Sequence, residues 1–293
     1  MTTLSYGAGA SLVLISAFFF GIQPLFGEAL KQANVDAYAL NLIRYTVPAL
    51  LLAGWFAMRG GVGGAPLRHL IRHSLLGLGF VGAGVGYYQA GFEIGFGLAV
   101  ILFFSFPLMV TLYSLLVLRI QLRPIQIIAM LSALAGLTLA VDVQWDESGV
   151  AGIAWALLAG FSYACALIYK THYVPPLDDT LSLAALMVGA SVVMFMIVGV
   201  RGAALPDSTY SWSVAIGLSI FAGLIPIGLL MLGTRAIGSL DSATLCTLEP
   251  IVAISVSVWL LGESASWNTL LGGVLVIGSA AVLMRARQRA EVI

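Results

Sequence analysis

Ten apolar runs of about 20 residues follow one another along the chain, and a helix needs a run of that length to cross the hydrocarbon of a bilayer. They cover residues 6–26, 38–58, 73–92, 98–118, 124–141, 149–169, 181–200, 212–234, 242–261 and 267–284. Of the 293 residues, 60% are hydrophobic and only 9% charged; soluble domains carry roughly 25% charged residues. A soluble domain of this size has no interior large enough for that apolar surface. The reading is an all-α integral membrane protein with the lipid bilayer as its solvent. The formal net charge is zero, which leaves no footprint for nucleic acid. The first eleven residues hold no Lys or Arg, and no cleavage site follows the first run, so it is expected to be a retained spanning helix rather than a signal peptide.

The loops are short, so basic residues set the orientation. One side collects Arg59, Arg68, Arg72, Arg119, Arg123, Lys170, Arg235, Arg285, Arg287 and Arg289, and the other only Lys31 and Arg201. Both termini are therefore expected in the cytoplasm. The outer loops carry acids instead, among them Glu28, Asp36, Asp207 and Glu263.

Shifting the sequence by 143 residues lays one half on the other. Asp36 and Leu40 fall on Asp179 and Leu183, Ile94-Gly95 on Ile237-Gly238, Pro107 on Pro250, and Leu118 on Leu261. Identities are few, but all ten runs coincide in order. Five spans per half is an odd number, so the second half must cross in the opposite sense. The expected fold is ten transmembrane helices in two inverted five-helix repeats, residues 1–143 and 144–293. Such repeats are common in secondary transporters, with the substrate site near the midplane between them.

The ninth run carries Glu249 directly before Pro250. A carboxylate in lipid is costly and points to function, and a proline frees backbone groups that a neighbour or a cavity must satisfy. Two readings stay open for Glu249: proton coupling or capture of a substrate amine, and a structural carboxylate bonded to the next helix or to the broken backbone. Its first-half counterpart is Phe106. Pro107 and Pro250 read as paired kinks for gating, and Pro48 and Pro226 admit the same reading. Helix three combines a glycine-rich stretch, 77–86, with Tyr87-Tyr88-Gln89, giving room and polar groups together; Gly82 and Gly86 make a small-xxx-small pair. Tyr163 and Tyr169, with Phe18, Phe20 and Gln23 of helix one, extend the candidate lining, and Ser105, Thr244 and Thr247 offer hydroxyls that more often bond their own helix. Arg44 is expected to snorkel to the outer interface, and His69, His73 and His172 to be solvated at the cytoplasmic edge. Cys165 and Cys246 read as packing residues. No catalytic residue, metal site or cofactor is expected, because acids and histidines are scattered and no phosphate-binding G-x-x-x-x-G-K-[ST] occurs.

In its second half the chain resembles the drug/metabolite transporter superfamily in its ten-helix form with two EamA-type repeats. The signature is Leu248-Glu-Pro250, then Leu261-Gly-Glu263, then the last helix with Gly272-Gly273 and Gly278. The first half departs from it, with Leu118-Arg119-Ile120 in place of Leu-Gly-Glu. The resemblance implies a bacterial inner-membrane secondary transporter, most similar to amino acid exporters including aromatic ones, that alternates access; a monomer is among the oligomeric states left open. From the residues themselves, the candidate substrate contacts are Tyr163, Tyr87, Tyr88, Gln23, Phe20 and Thr247, against the alternative of interface aromatics and helix-bonded hydroxyls; the candidates for gating or coupling are Glu249, Pro250 and Pro107. Another solute class, such as a drug or nucleotide sugar, is the alternative, ahead of a membrane enzyme or a scaffold.

Overall fold

The computed structural model describes residues 5–119, 123–140, 147–238, 241–242 and 245–291. These form helices α1 (Tyr6–Gly21), α2 (Gln23–Gln32), α3 (Ala37–Met58), α4 (Leu67–Ile94), α5 (Phe96–Phe103), α6 (Phe106–Leu116), α7 (Pro124–Ala140), α8 (Glu147–Tyr173), α9 (Asp179–Arg201), α10 (Thr209–Ser219), α11 (Ile225–Ile237), α12 (Leu248–Trp259) and α13 (Trp267–Glu291). Helices start where side chains cap orphan N–H groups: Asp36 accepts from Ala39 N at 2.7 Å, Asp178 from Thr180 N and Leu181 N, and Ser208 with Ser211 forms a capping box.

Six stretches are long and apolar enough to cross a membrane: Tyr6–Gln32, Ala37–Met58, Phe96–Leu116, Gly149–Tyr173, Asp179–Arg201 and Thr209–Ile237. Pro124–Ala140, Leu248–Trp259 and Trp267–Leu283 are shorter apolar helices, so these expected spans are shorter in their described part than the sequence runs implied. Helix α4 is ample in length but is not among the lipid-like six, because glycines and Tyr87-Tyr88-Gln89 dilute its apolar side chains. It is instead the hub, packed on both α8 and α9.

Four spans are broken. The first turns at Ile22 between α1 and α2, and the fourth at Phe104-Ser105 before Pro107. The eighth passes through a π segment, Ile220–Leu224, just before Pro226, and the ninth turns at Cys246-Thr247 before Pro250. Pro48, read as a kink, lies inside the continuous α3.

The packing repeats across the halves. Helix α4 lies on α8 as α11 lies on α1; α3 meets α9, and α7 meets α13, across the centre. The details match. A side chain at Gly9 would strike Ala236 and Ile237, and one at Gly152 would strike Glu93 and Ile94, the equivalent residues 143 earlier. Gly95 and Gly238 end their helices at φ 81° and 84°, a left-handed turn that glycine takes without strain. An exchange of five-span halves that preserves contacts describes an inverted repeat. Close approach of α4 to α8 rests on Gly79, Gly82 and Gly86, which leave room for Ala166, Ser162 and Ala159.

Candidate functional site

Segments of the first and fourth spans, α2 and α5, pack on the hub helix beside their breaks, and aromatic rings line the junction. Tyr88 lies 6.1 Å from Phe96 and 5.3 Å from Tyr87; Tyr87 lies 6.1 Å from Phe103; Phe103 lies 5.5 Å from Tyr163. Tyr163 is ringed by Phe106 at 4.9 Å and Phe80 at 5.6 Å. This wall joins α4, α5, α6 and α8. The edge-on ring geometry is the favourable one for aromatic pairs. Tyr88 is fully buried and its hydroxyl donates to Gln23 Oε1 at 3.3 Å, tying α4 to the break in the first span.

Two opposite charges lie deep at this junction. The Arg44 guanidinium sits 5.5 Å from the Tyr88 ring centre and 6.0 Å from that of Tyr45, within the range of a cation–π contact. Tyr45 in turn donates to the Phe80 carbonyl at 2.6 Å. Glu249, in the first turn of α12, lies against the break in the first span: a side chain built at Gly21 would come within 2.9 Å of its carbonyl oxygen, and Gln23, just past that break, is the residue bonded to Tyr88. Both charged side chains are half-buried, and among the described residues neither has a hydrogen bond or an ion pair. Nearby Ser105, 1% exposed, has its hydroxyl without a partner at the break in the fourth span, facing Gly160.

A second acid closes the Gly95 end of the bundle. The Glu263 carboxylate accepts from Phe96 N at 2.7 Å and Gly97 N at 2.9 Å, the first free N–H groups of α5. A helix N-terminus favours that negative charge. A side chain at Gly95 or Gly97 would run into the carboxylate. At the Gly238 end, Tyr6 ties the first half to the second by donating to Asp241 Oδ2 at 2.7 Å, and Arg235 pairs with Asp179 within the second half. His73 is buried between the Pro175 carbonyl at 2.9 Å and Ser182 Oγ at 2.7 Å.

The chain matches the model of the EamA-like transporter family twice, at residues 7–141 and 150–285. It belongs to that family. This EamA-like protein is accordingly a multi-pass membrane transporter and not an enzyme. It is 26% identical over 255 residues to the uncharacterized inner membrane transporter YedA of Escherichia coli K12, covering 83% of this chain and 80% of YedA. It is 24% identical over 270 residues to the threonine/homoserine exporter RhtA of the same strain, covering 88% and 85%. A crystal structure 16% identical in sequence superposes with a TM-score of 0.64 over 97% of this chain and 99% of the other, which shows the shared fold.

Within the EamA-like fold, the sequence-named residues Gln23, Tyr87, Tyr88, Tyr163 and Glu249 come together at the junction. Pro107 and Pro250 each open the second segment of a broken span. Thr247 is the N-cap residue of α12, beside Glu249, and Phe20 is half-buried near the end of α1. Other expectations fail on packing. Phe18 is half exposed on the outside of α1, and Tyr169 stacks on Tyr173 at 5.7 Å, away from the wall. Arg44 does not snorkel, because the ring faces of Tyr45 and Tyr88 hold it inward. His73 is not solvated, and Ser105 does not bond its own helix. Cys165 is exposed rather than packed. Thr244 lies outside the described residues. Sequence reasoning missed the Phe80, Phe103 and Phe106 part of the wall, since a phenylalanine in an apolar run carries no signal of its own. It could have found Arg44, a basic residue within a spanning run whose own loops already hold their charges.

Proposed function

We propose that this EamA-like protein exports amino acids, including apolar and aromatic ones, across the bacterial inner membrane by alternating access, with both termini in the cytoplasm. Its two repeats, 1–143 and 144–293, exchange conformations around a site bounded by Tyr163, Tyr87, Tyr88, Gln23, Phe20 and Thr247. The breaks at Pro107 and at Glu249-Pro250 flex, because a proline at the start of a helical segment leaves the preceding turn without a full set of backbone bonds.

The observation that carries this reading is the junction itself. An apolar wall of rings with a few convergent polar groups, placed where the halves meet, is what a small-molecule site requires. Similarity along most of the chain to a threonine/homoserine exporter supports amino acids over other solutes. The test is counterflow in proteoliposomes with a panel of labelled amino acids, with and without a pH gradient. Amino acids with apolar and aromatic side chains should exchange at rates at least tenfold above protein-free vesicles. Exchange of nucleotide sugars or cationic drugs with none of the amino acids would overturn the assignment.

A further inference from the structure

Arg44 and Glu249 pose a problem that the aromatic wall does not solve. A charged side chain within a spanning segment costs at least several kcal/mol unless it is paired or solvated. These two have opposite signs and flank the same break in the first span: Arg44 lies over Tyr88, which bonds Gln23 on one side of the break, and Glu249 lies against Gly21 on the other. Yet no ion pair joins them; among the described residues, the ion pair found is Arg235 with Asp179 at the Gly238 end. Each side chain remains half-buried, with its polar end bonded to no described residue. Two rings brace the Arg44 guanidinium from the side, leaving its planar fork of N–H groups unspent. Two unpaired charges flanking one break, with donors on one and acceptors on the other, offer a positive and a negative end to a single solute.

We infer that Arg44 and Glu249 form a two-ended receptor for a zwitterion, with the Arg44 guanidinium taking the α-carboxylate of an amino acid and the Glu249 carboxylate taking its α-ammonium. This rests on the amino-acid reading of the junction and deepens it. Charge-assisted hydrogen bonds of about 2.8 Å at each end let one small solute bridge groups that do not touch each other. The solute's side chain then lies along Tyr87, Phe103 and Tyr163, whose ring edges and faces continue from the Arg44 end. The chemistry recognised is the pair of opposite charges on one carbon. A primary amine or a carboxylic acid of the same shape satisfies only one end and leaves the other charge buried and unpaired, which a polar site rejects strongly.

The experiment measures inhibition of labelled L-leucine counterflow by unlabelled L-leucine, by its decarboxylated amine and by its 2-hydroxy acid. Wild-type protein should bind leucine at least tenfold more tightly than either analogue. In Arg44→Gln, affinity for leucine should fall at least tenfold while that for the amine is unchanged, so that discrimination between them collapses. Glu249→Gln should do the reciprocal, losing discrimination against the hydroxy acid. Arg44→Lys and Glu249→Asp keep the charges and should keep part of the discrimination. Ligand-induced thermal stabilisation in detergent gives the same ratios for any variant that folds but does not transport. Equal shifts for all three solutes in both Gln variants would mean a packing role and overturn the receptor. Wild-type protein that accepts the amine or the hydroxy acid as well as leucine would also overturn it while leaving the amino-acid reading intact. Failure to bind any amino acid would remove both.

Discussion

The two halves share a scaffold but not a chemistry. Displaced by 143 residues, Gln23, Arg44, Tyr87 and Tyr88 fall on Ala166, Met187, Leu230 and Met231. The first half supplies the polar side chains of the junction, and the second puts apolar ones at the same places. Glu249 reverses the pattern, since its counterpart is Phe106. The Glu263 clasp on α5 is one-sided too: the equivalent position is Ile120, which has no acceptor and lies outside the described residues. The backbone features, by contrast, are duplicated at Gly9 and Gly152, at Gly95 and Gly238, and at the left-handed pair Arg119 (φ 52°) and Gly262 (φ 71°). On the proposed mechanism, the symmetric backbone is what lets the halves trade conformations at little net cost, and the asymmetric side chains are what hold a solute in one orientation.

The comparison can be broken first at its backbone. Gly9→Leu and Gly152→Leu each drive a side chain into the neighbouring helix and should each cost more than about 3 kcal/mol. Both should abolish a monodisperse peak in detergent; full tolerance of either would mean that the contacts are not equivalent. The next effect is at the clasp. Glu263→Ala uncaps Phe96 N and Gly97 N, which should lower stability by about 2 kcal/mol. A thermal unfolding midpoint within a degree of wild type would show that the clasp contributes nothing. Smaller still is the contrast between equivalent rings. Tyr163→Ala should reduce transport of bulky amino acids about tenfold and small ones little, because it removes a ring from the wall. Phe20→Ala, the same position in the first half, lies on the site's edge without a ring contact to the wall among the described residues and should change either by less than about threefold; a loss at Tyr163 that is the same for bulky and small amino acids would assign that ring to general packing. The smallest effect sharpens the symmetry: Arg119→Gly relieves a left-handed non-glycine residue and should stabilise by about 1 kcal/mol, read as a small rise in midpoint.

Much of the architecture was legible because bilayers impose lengths. Helix number, the halving of the chain and the family signature at Leu248-Glu-Pro250 all follow from runs and spacings. Breaks were legible only in part. Pro107 and Pro250 mark theirs, but Pro48 looks the same in sequence and bends nothing enough to interrupt α3, and the π segment at Ile220–Leu224 has no residue that announces it. Of the junction, Tyr87, Tyr88, Tyr163, Gln23 and Glu249 could be named because polar groups are rare in such runs. Arg44 was misplaced because its distance from the helix end is compatible with snorkelling, and only the positions of Tyr45 and Tyr88 decide otherwise. His73 was misplaced for the same kind of reason, since Pro175 and Ser182 reach it from the other half.

The sequence by itself determined that this chain lives in lipid, crosses it in two mirrored sets of five, and carries a family signature concentrated in the second set. Those properties are one-dimensional: hydrocarbon thickness and helical rise convert run length directly into structure. Only the tertiary structure decided that Arg44 and Glu249 flank the same break in the first span without pairing, that Glu263 caps a helix 167 residues away in the chain, and that the ring wall is continuous. Such contacts depend on where glycines let helices approach and where breaks turn side chains inward, and a linear pattern of apolar residues carries no record of either.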